Sequence, residues 1–302
     1  MSDDESANVL RRFATVPLPG PLDSPPPSVN AEVEFGARSR QGTVRSGNHD
    51  HYLILRLGRD QETLMTSLPA GDIPQRFNEC GYGMVIADGM GGAGEAASRL
   101  AVSTLVHLAI CFGRWNLRVD ERTADEMTDR AERFYRSIDS TLLRATQRGS
   151  GVLRTTLTAI YIAGTELLFA DVGHSRAYLF RDDELMQLTR DHAPDHGRPA
   201  RAVIMDPADR TSRASRIETE TLGEPGWGAP RIDIERCGLL NGDVILLCTD
   251  GLTGVAEDAR IAGALRSRRT PDDQCRALMD LVAGSAGEDD ATALVAHYRI
   301  RA

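Results

Sequence analysis

The spacing of apolar positions changes several times along the chain, and each change marks a different kind of element. AEVEFGARSRQGTV (31–44), HYLILRL (51–57) and GYGMVIA (81–87) are short runs with apolar residues on one or both faces, which predicts strands. From Gly94 to Phe112, GEAASRLAVSTLVHLAICF spaces its apolar residues three and four apart, predicting a core-facing helix, and a second amphipathic helix is predicted over Ala124–Gln147. The rhythm then returns to strands with TLTAIYIA (156–163), ELLFADVG (166–173), RAYLFR (176–181) and ELMQLT (184–189). Turn signals at Ala163-Gly164-Thr165 and Asp182-Asp183 separate them, which predicts an antiparallel meander. Further on, APRIDIERCGLL (229–240), DVILLCTDG (243–251) and TALVAHYRI (292–300) read as strands, with a helical pair over Asp258–Ala283. Two sets of strands and two separate helical pairs predict a layered α+β sandwich in one domain, residues 30–302.

Two stretches break the pattern. Residues 1–29 contain PLPGPLDSPPPS, which forms neither helix nor sheet and buries little, so a disordered or extended arm is expected there. Residues 190–229 are polar, Arg-rich and punctuated by Pro and Gly, a flap-like excursion of a length that is uncommon unless functional or mobile.

Bulk properties narrow the function. At 302 residues with 41% apolar content the chain can bury a sizeable core. Its net charge of −9, with both signs interspersed, offers no basic stripe for nucleic acid. The five cysteines lie far apart without a CxxC pair, so buried reduced thiols are expected rather than a zinc site or disulfide framework. MSDDESANVL does not read as a signal peptide, and no later run was judged to approach the roughly 18 apolar residues of a membrane span. A cytoplasmic location is the resulting expectation.

Candidate chemistry sits where strands end. Asp50 follows Arg45-Ser-Gly-Asn-His49 between two strand patterns, and Asp88 ends MVIA and precedes Gly89. Asp250 ends VILLCT and precedes Gly251, and Asp289 stands before Asp290-Ala-Thr292 and the last strand. A sheet holds its strand ends rigidly, and a following glycine lets the backbone turn sharply beside a ligand. Taken singly, each aspartate is an ordinary turn residue. Together they predict convergent carboxylates for hard divalent cations, with the Gly89 carbonyl as a further ligand and zinc less favoured, because few His or Cys residues lie near them in sequence. Carboxylates within about 4 Å would repel by roughly 4 kcal/mol per pair at an effective dielectric near 20, and two divalent ions would cancel four such charges. A guanidinium such as Arg45 suits phosphate oxygens.

These residues resemble the bacterial form of the protein phosphatase 2C family, the metal-dependent serine/threonine protein phosphatases. The resemblance rests on GTVRSGNHD (42–50), VIADGMGGAGEAAS (85–98), RTTLTAIYI (154–162), ADVGHSRAYLFRDDELMQLTRDH (170–192), GDVILLCTDGLTGV (242–255) and GEDDATALVA (287–296), in the family's order. It implies an αββα sandwich with two Mn²⁺ or Mg²⁺ ions in an edge cleft. Asp88 would bridge them, Gly89 lend its carbonyl, Asp250 and Asp289 bind one ion, and Asp50 serve the other. It also implies hydrolysis of phosphoserine and phosphothreonine proteins by a metal-bridging hydroxide, with Arg45 on the phosphate and a serine/threonine kinase as counterpart. Neither nucleic acid nor membrane insertion is part of that expectation. The chain departs from the family where Gly-Asp-Ser-Arg reads Gly173-His174-Ser175-Arg176. The replaced aspartate helps hold a third, weaker ion, so a third site is in doubt, and His174 is either a hydrogen-bonded structural residue, a holder of that ion's water or a proton donor to the leaving oxygen. The same departure motivates the alternative of a weakly active phosphoprotein-binding module. The family's Asp-Asn reads Asp289-Asp290, the second carboxylate either adjusting metal affinity or facing solvent. The arginines of the excursion, Arg198, Arg201, Arg210, Arg213 and Arg216, either recognise acidic phosphopeptides or are solvated.

Overall fold

A computed structural model of the protein describes residues 31–300 apart from 70, 114–116, 118, 120, 150, 193–219, 227, 267–269 and 285–287. The arm over 1–29 and the five arginines of the excursion lie outside the described residues. Among the described residues eleven strands form two fully antiparallel sheets. The first sheet orders β1 (Ala31–Arg40), β11 (Ala291–Ile300), β10 (Val244–Cys248), β7 (Arg176–Arg181) and β8 (Glu184–Gln187). The second orders β2 (Asp50–Glu62), β3 (Arg76–Met90), β5 (Leu157–Ala163), β6 (Glu166–Val172) and β9 (Asp233–Gly238), with the short β4 (Arg154–Thr155) pairing the end of β3.

Period-two alternation sends successive side chains to opposite faces, and here both faces are covered. Met84 and Ile86 of β3, Ile245 and Leu247 of β10, and Leu294 and Ala296 of β11 meet between the sheets. Their sequence neighbours face outward. Val85 and Ala87 pack under α1 (Gly94–Phe112) and α2 (Glu121–Gln147), with Ala97, Ala101, Ile138 and Leu142. Leu246, Cys248, Ala293 and Val295 pack under α3 (Asp250–Thr253), α4 (Asp258–Leu265) and α5 (Pro271–Ala283), with Leu252, Ile261, Leu265 and Leu278. The layers therefore run helix, sheet, sheet, helix. Each fully buried Leu or Ile side chain contributes roughly 1.5–3 kcal/mol.

Helix α1 spans the residues its periodicity predicted, and α2 starts three residues before Ala124. By length and composition α1 is also apolar enough to cross a membrane, contrary to the sequence-based expectation that no run comes near. In the fold its small face, Gly94, Ala97, Ser98 and Ala101, is buried. The cysteine expectation holds for Cys248 and Cys275, whereas Cys80 and Cys237 are half-buried and Cys111 is exposed; all five are free.

The meander is corrected. Strands β5 and β6 form one hairpin and β7 and β8 another, but they belong to different sheets, and the chain crosses between them at Gly173-His174-Ser175. Gly173 has φ +119°, and a Cβ there would stand 2.5 Å from Thr156 Cγ2. Only glycine meets both the conformation and the space. Strand β6 then pairs with β9 and β7 with β10, so the apparent neighbours separate.

Candidate metal centre

Strand ends from both sheets meet at one edge. Asp50 opens β2 directly opposite Asp88 on β3, Asp250 follows β10, and Asp289 and Asp290 precede β11. Asp50 is buried, and its Oδ2 accepts the hydroxyls of Thr249 at 2.9 Å and Thr292 at 2.7 Å. Those threonines belong to the other sheet, so Asp50 fastens the two sheets beneath the cleft. The amide of Asp88 donates to Thr156 Oγ1 at 3.1 Å, and its carbonyl accepts Thr155 Oγ1 at 2.8 Å and the Thr156 amide at 2.9 Å. Both backbone groups are thus committed, and only the side chain faces the cleft.

That leaves carboxylate oxygens with nothing to answer them. Asp50 Oδ1, Asp88 Oδ1 and Asp250 Oδ1 are buried and have no hydrogen-bond partner among the described residues. Burial first, then the charges of Asp50, Asp250 and Asp289, raise the Asp88 carboxyl well above the usual range, with Arg45 opposing. Burial pushes Asp50 up to about 7 despite its two threonine donors, and the Asp250 and Asp290 charges add to the rise. Asp289 is raised by burial and by Asp250. One atom each from Asp88, Asp250 and His174 lie within 4.8 Å of one another, with His174 Nδ1 3.3 Å from Asp250 Oδ2.

Arg45 enters over this cluster. Its Nη1 donates to the Gly89 carbonyl at 3.1 Å, and the guanidinium lies 3.9 Å from Asp88 Oδ1, 3.6 Å from Asp289 Oδ1 and 3.8 Å from Asp290 Oδ2. Asp290 does not face solvent: its side chain is wholly buried and accepts the amides of Gly42 and His49, each at 2.8 Å. It therefore fixes the 41–49 loop that carries Arg45. Gly89 and Gly94 cross so closely that a Cβ on Gly89 would stand 1.9 Å from the Gly94 oxygen. This crossing brings the start of α1 against the strand end.

Every acid singled out from the sequence lies at this edge, together with Gly89, Arg45 and His174. Thr155, Thr156, Thr249 and Thr292 had no assigned role, although hydroxyl residues beside the acidic strand ends of CTDG and DDAT were the available signal. A second acid cluster went unread. Asp171 and Asp233 face each other across β6 and β9, with His192 Nε2 at 3.4 Å and 3.1 Å from them and Arg231 bound to both oxygens of Asp233.

Comparison with known proteins identifies the architecture around this cleft. A model of the family described as protein phosphatase 2C matches residues 74–293. The chain belongs to the protein phosphatase 2C family. Within it, the chain is 28% identical over 216 residues to the serine/threonine phosphatase stp of Listeria innocua, covering 70% of this chain and 82% of that protein. It is 28% identical over 288 residues to the serine/threonine protein phosphatase PstP of Mycobacterium tuberculosis, covering 89% of this chain but 45% of PstP. The crystal structure of the Mycobacterium tuberculosis phosphatase PstP/Ppp superposes with a TM-score of 0.62 at 28% identity, over 88% of this chain and 98% of that one. The PstP catalytic domain in complex with two manganese ions gives 0.63 at 26% identity, over 89% and 99%.

Proposed function

We propose that this protein phosphatase 2C family member hydrolyses phosphoserine and phosphothreonine in proteins in a metal-dependent reaction. In this reading Asp88, the Gly89 carbonyl, Asp250 and Asp289 hold two divalent ions, Mn²⁺ or Mg²⁺, with Asp50 serving one of them. The observation that carries it is the set of buried carboxylate oxygens without donors in a single cleft. Hard cations take such oxygens, and their charge would answer the burial and mutual repulsion that raise Asp50, Asp88 and Asp289. When bound, the ions supply Lewis acidity and water acidified toward neutral pH, the assistance that phosphate ester hydrolysis requires.

The chain's own groups do the rest. Arg45 presents a planar fork at the cleft mouth, suited to pair with phosphate oxygens and hold the phosphorus over the acids. Asp290, through the Gly42 and His49 amides, keeps that loop in place. Thr155 and Thr156 hold Asp88 by its backbone, which fixes the strand end from which its carboxylate projects.

A serine/threonine kinase acting on the same proteins is the implied counterpart. The free cysteines, with Cys111 exposed, support a reducing cytoplasmic setting. The test is phosphate release from a phosphothreonine peptide and from p-nitrophenyl phosphate with Mn²⁺ or Mg²⁺. Turnover that ceases with a chelator is expected. A folded, metal-loaded protein that binds the phosphopeptide without turnover would make it a binding module instead.

A further inference from the structure

The sheet crossover delivers His174 to the cleft by a route that leaves it little freedom. Gly173 is locked against Thr156, its amide lies 3.4 Å from His192 Nδ1, and its carbonyl accepts the His192 amide at 2.9 Å. On the other side Ser175 Oγ is 3.0 Å from Thr156 Oγ1, and Arg176 is bound to both carboxylate oxygens of Asp191. Between these anchors, His174 Nδ1 is buried without a hydrogen-bond partner among the described residues, as are Asp88 Oδ1 and Asp250 Oδ1. Ligands on adjacent corners of an octahedral ion with bonds of about 2.1 Å stand about 3 Å apart, and opposite ligands about 4.2 Å. The 3.3 Å from His174 Nδ1 to Asp250 Oδ2 fits adjacent corners of such an ion, and a carboxylate oxygen of Asp88 joins them with all three atoms within 4.8 Å of one another.

We propose that His174 Nδ1 is a nitrogen ligand of this centre, sharing one ion with Asp88 and Asp250, and that it biases the site away from Mg²⁺ toward nitrogen-accepting ions such as Mn²⁺, Fe²⁺, Co²⁺ and Zn²⁺. The inference rests on the reading of the acids as a metal centre and deepens it. Mg²⁺ is a hard ion held by oxygen, whereas imidazole suits the later divalent metals. A neutral ring also gives the site one negative charge fewer than a third carboxylate would, which removes part of the attraction that Mg²⁺ depends on. The tertiary structure thus supplies a nitrogen donor that the spacing along the sequence did not place beside the acids.

The experiment loads the full chain with Mn²⁺ and records its pulsed electron paramagnetic resonance, alongside calorimetric titration with Mn²⁺ and Mg²⁺. Wild type and His49→Ala are expected to show strong ¹⁴N modulation, and His174→Ala and His174→Asp to lose it. His174→Asp is expected to lower the preference for Mn²⁺ over Mg²⁺ by roughly tenfold or more. Tight Mn²⁺ binding by wild type without ¹⁴N coupling, or coupling that survives in His174→Ala, would overturn the role of His174 and leave the metal centre standing. Failure of wild type to bind Mn²⁺ at all would overturn both. If His174→Ala does not fold, His174→Asp carries the comparison, and a wild-type spectrum without ¹⁴N coupling overturns the proposal by itself.

Discussion

The six-stranded sheet carries two aspartate pairs facing each other across adjacent strands, and the protein meets their charge in different ways. At Asp171 and Asp233 the chain supplies counter-charge to one member: Arg231 grips Asp233 at 2.8 Å and 2.7 Å with His192 beside it, whereas Asp171 has no hydrogen-bond donor among the described residues and is pushed up by burial to about 8. Burial works to raise Asp233, but the Arg231 hydrogen bond and the His192 charge outweigh it and hold the carboxyl below its ordinary value. At Asp50 and Asp88 the chain offers threonine hydroxyls and an arginine that stays 3.9 Å away, and both carboxyls rise. Like charges facing across a ladder are destabilising. A compensating charge relieves such a pair: Asp233 takes it from Arg231, whereas Asp50 Oδ2 meets threonine hydroxyls and Arg45 stands 3.9 Å from Asp88 Oδ1. The first cluster also ties structure together, since the Glu220 amide donates to the His192 carbonyl at 3.2 Å.

The comparison breaks most visibly at the cleft acids. Asp88→Asn or Asp250→Asn is expected to lower Mn²⁺-dependent phosphate release by about 10³-fold or more while circular dichroism stays unchanged. Near-normal rates in either variant would remove the acids from the reaction. Arg45→Lys keeps the charge and loses the fork, so kcat/KM on a phosphothreonine peptide should fall by roughly 10- to 100-fold. Unchanged kinetics would mean that Arg45 does not touch phosphate.

A smaller effect comes from pH. A carboxyl raised in the folded state contributes stability that is fully present below its unfolded pKa and is lost as pH rises through the folded value, about 7 for Asp50. In chelator, the melting temperature should therefore drop by a few degrees between pH 5 and 8, and Mn²⁺ should flatten the curve. A metal-free protein equally stable at both pH values would contradict the charge argument. The smallest change is expected at the other pair. Burial, with Asp233 and Glu235, pushes Asp171 up to about 8, so Asp171→Asn should remove a loss of stability that develops as pH rises from the ordinary carboxyl range to about 8. Phosphatase activity at pH 7 should stay within about twofold. A large loss of activity would show that the two clusters are coupled.

Much of this was legible along the chain. The three- and four-residue spacing of Gly94–Phe112 marked α1 at both ends, and the apolar runs marked the strand cores, because period and burial are local consequences of side-chain order. Strands β2 and β3 extend beyond their apolar cores, over the mostly polar residues 58–62 and 76–80, because ladder hydrogen bonds carry the hairpin past the buried layer. The two-residue β4 and one-turn α3 are too short to show a period. The burial of Asp290 was not readable either, since it depends on amides at Gly42 and His49, more than 240 positions away.

By itself the sequence determined which segments are strands and helices, where glycine must stand, and that acids end several strands, all properties of residues within a few positions of one another. Only the tertiary structure decided that the chain changes sheets at Gly173-His174-Ser175, that threonines of one sheet hold an aspartate of the other, and how near the His174 ring stands to Asp250. Those outcomes depend on which strand edges pair, and pairing is settled by burying both faces of both sheets at once, a condition on the whole chain that no short window contains.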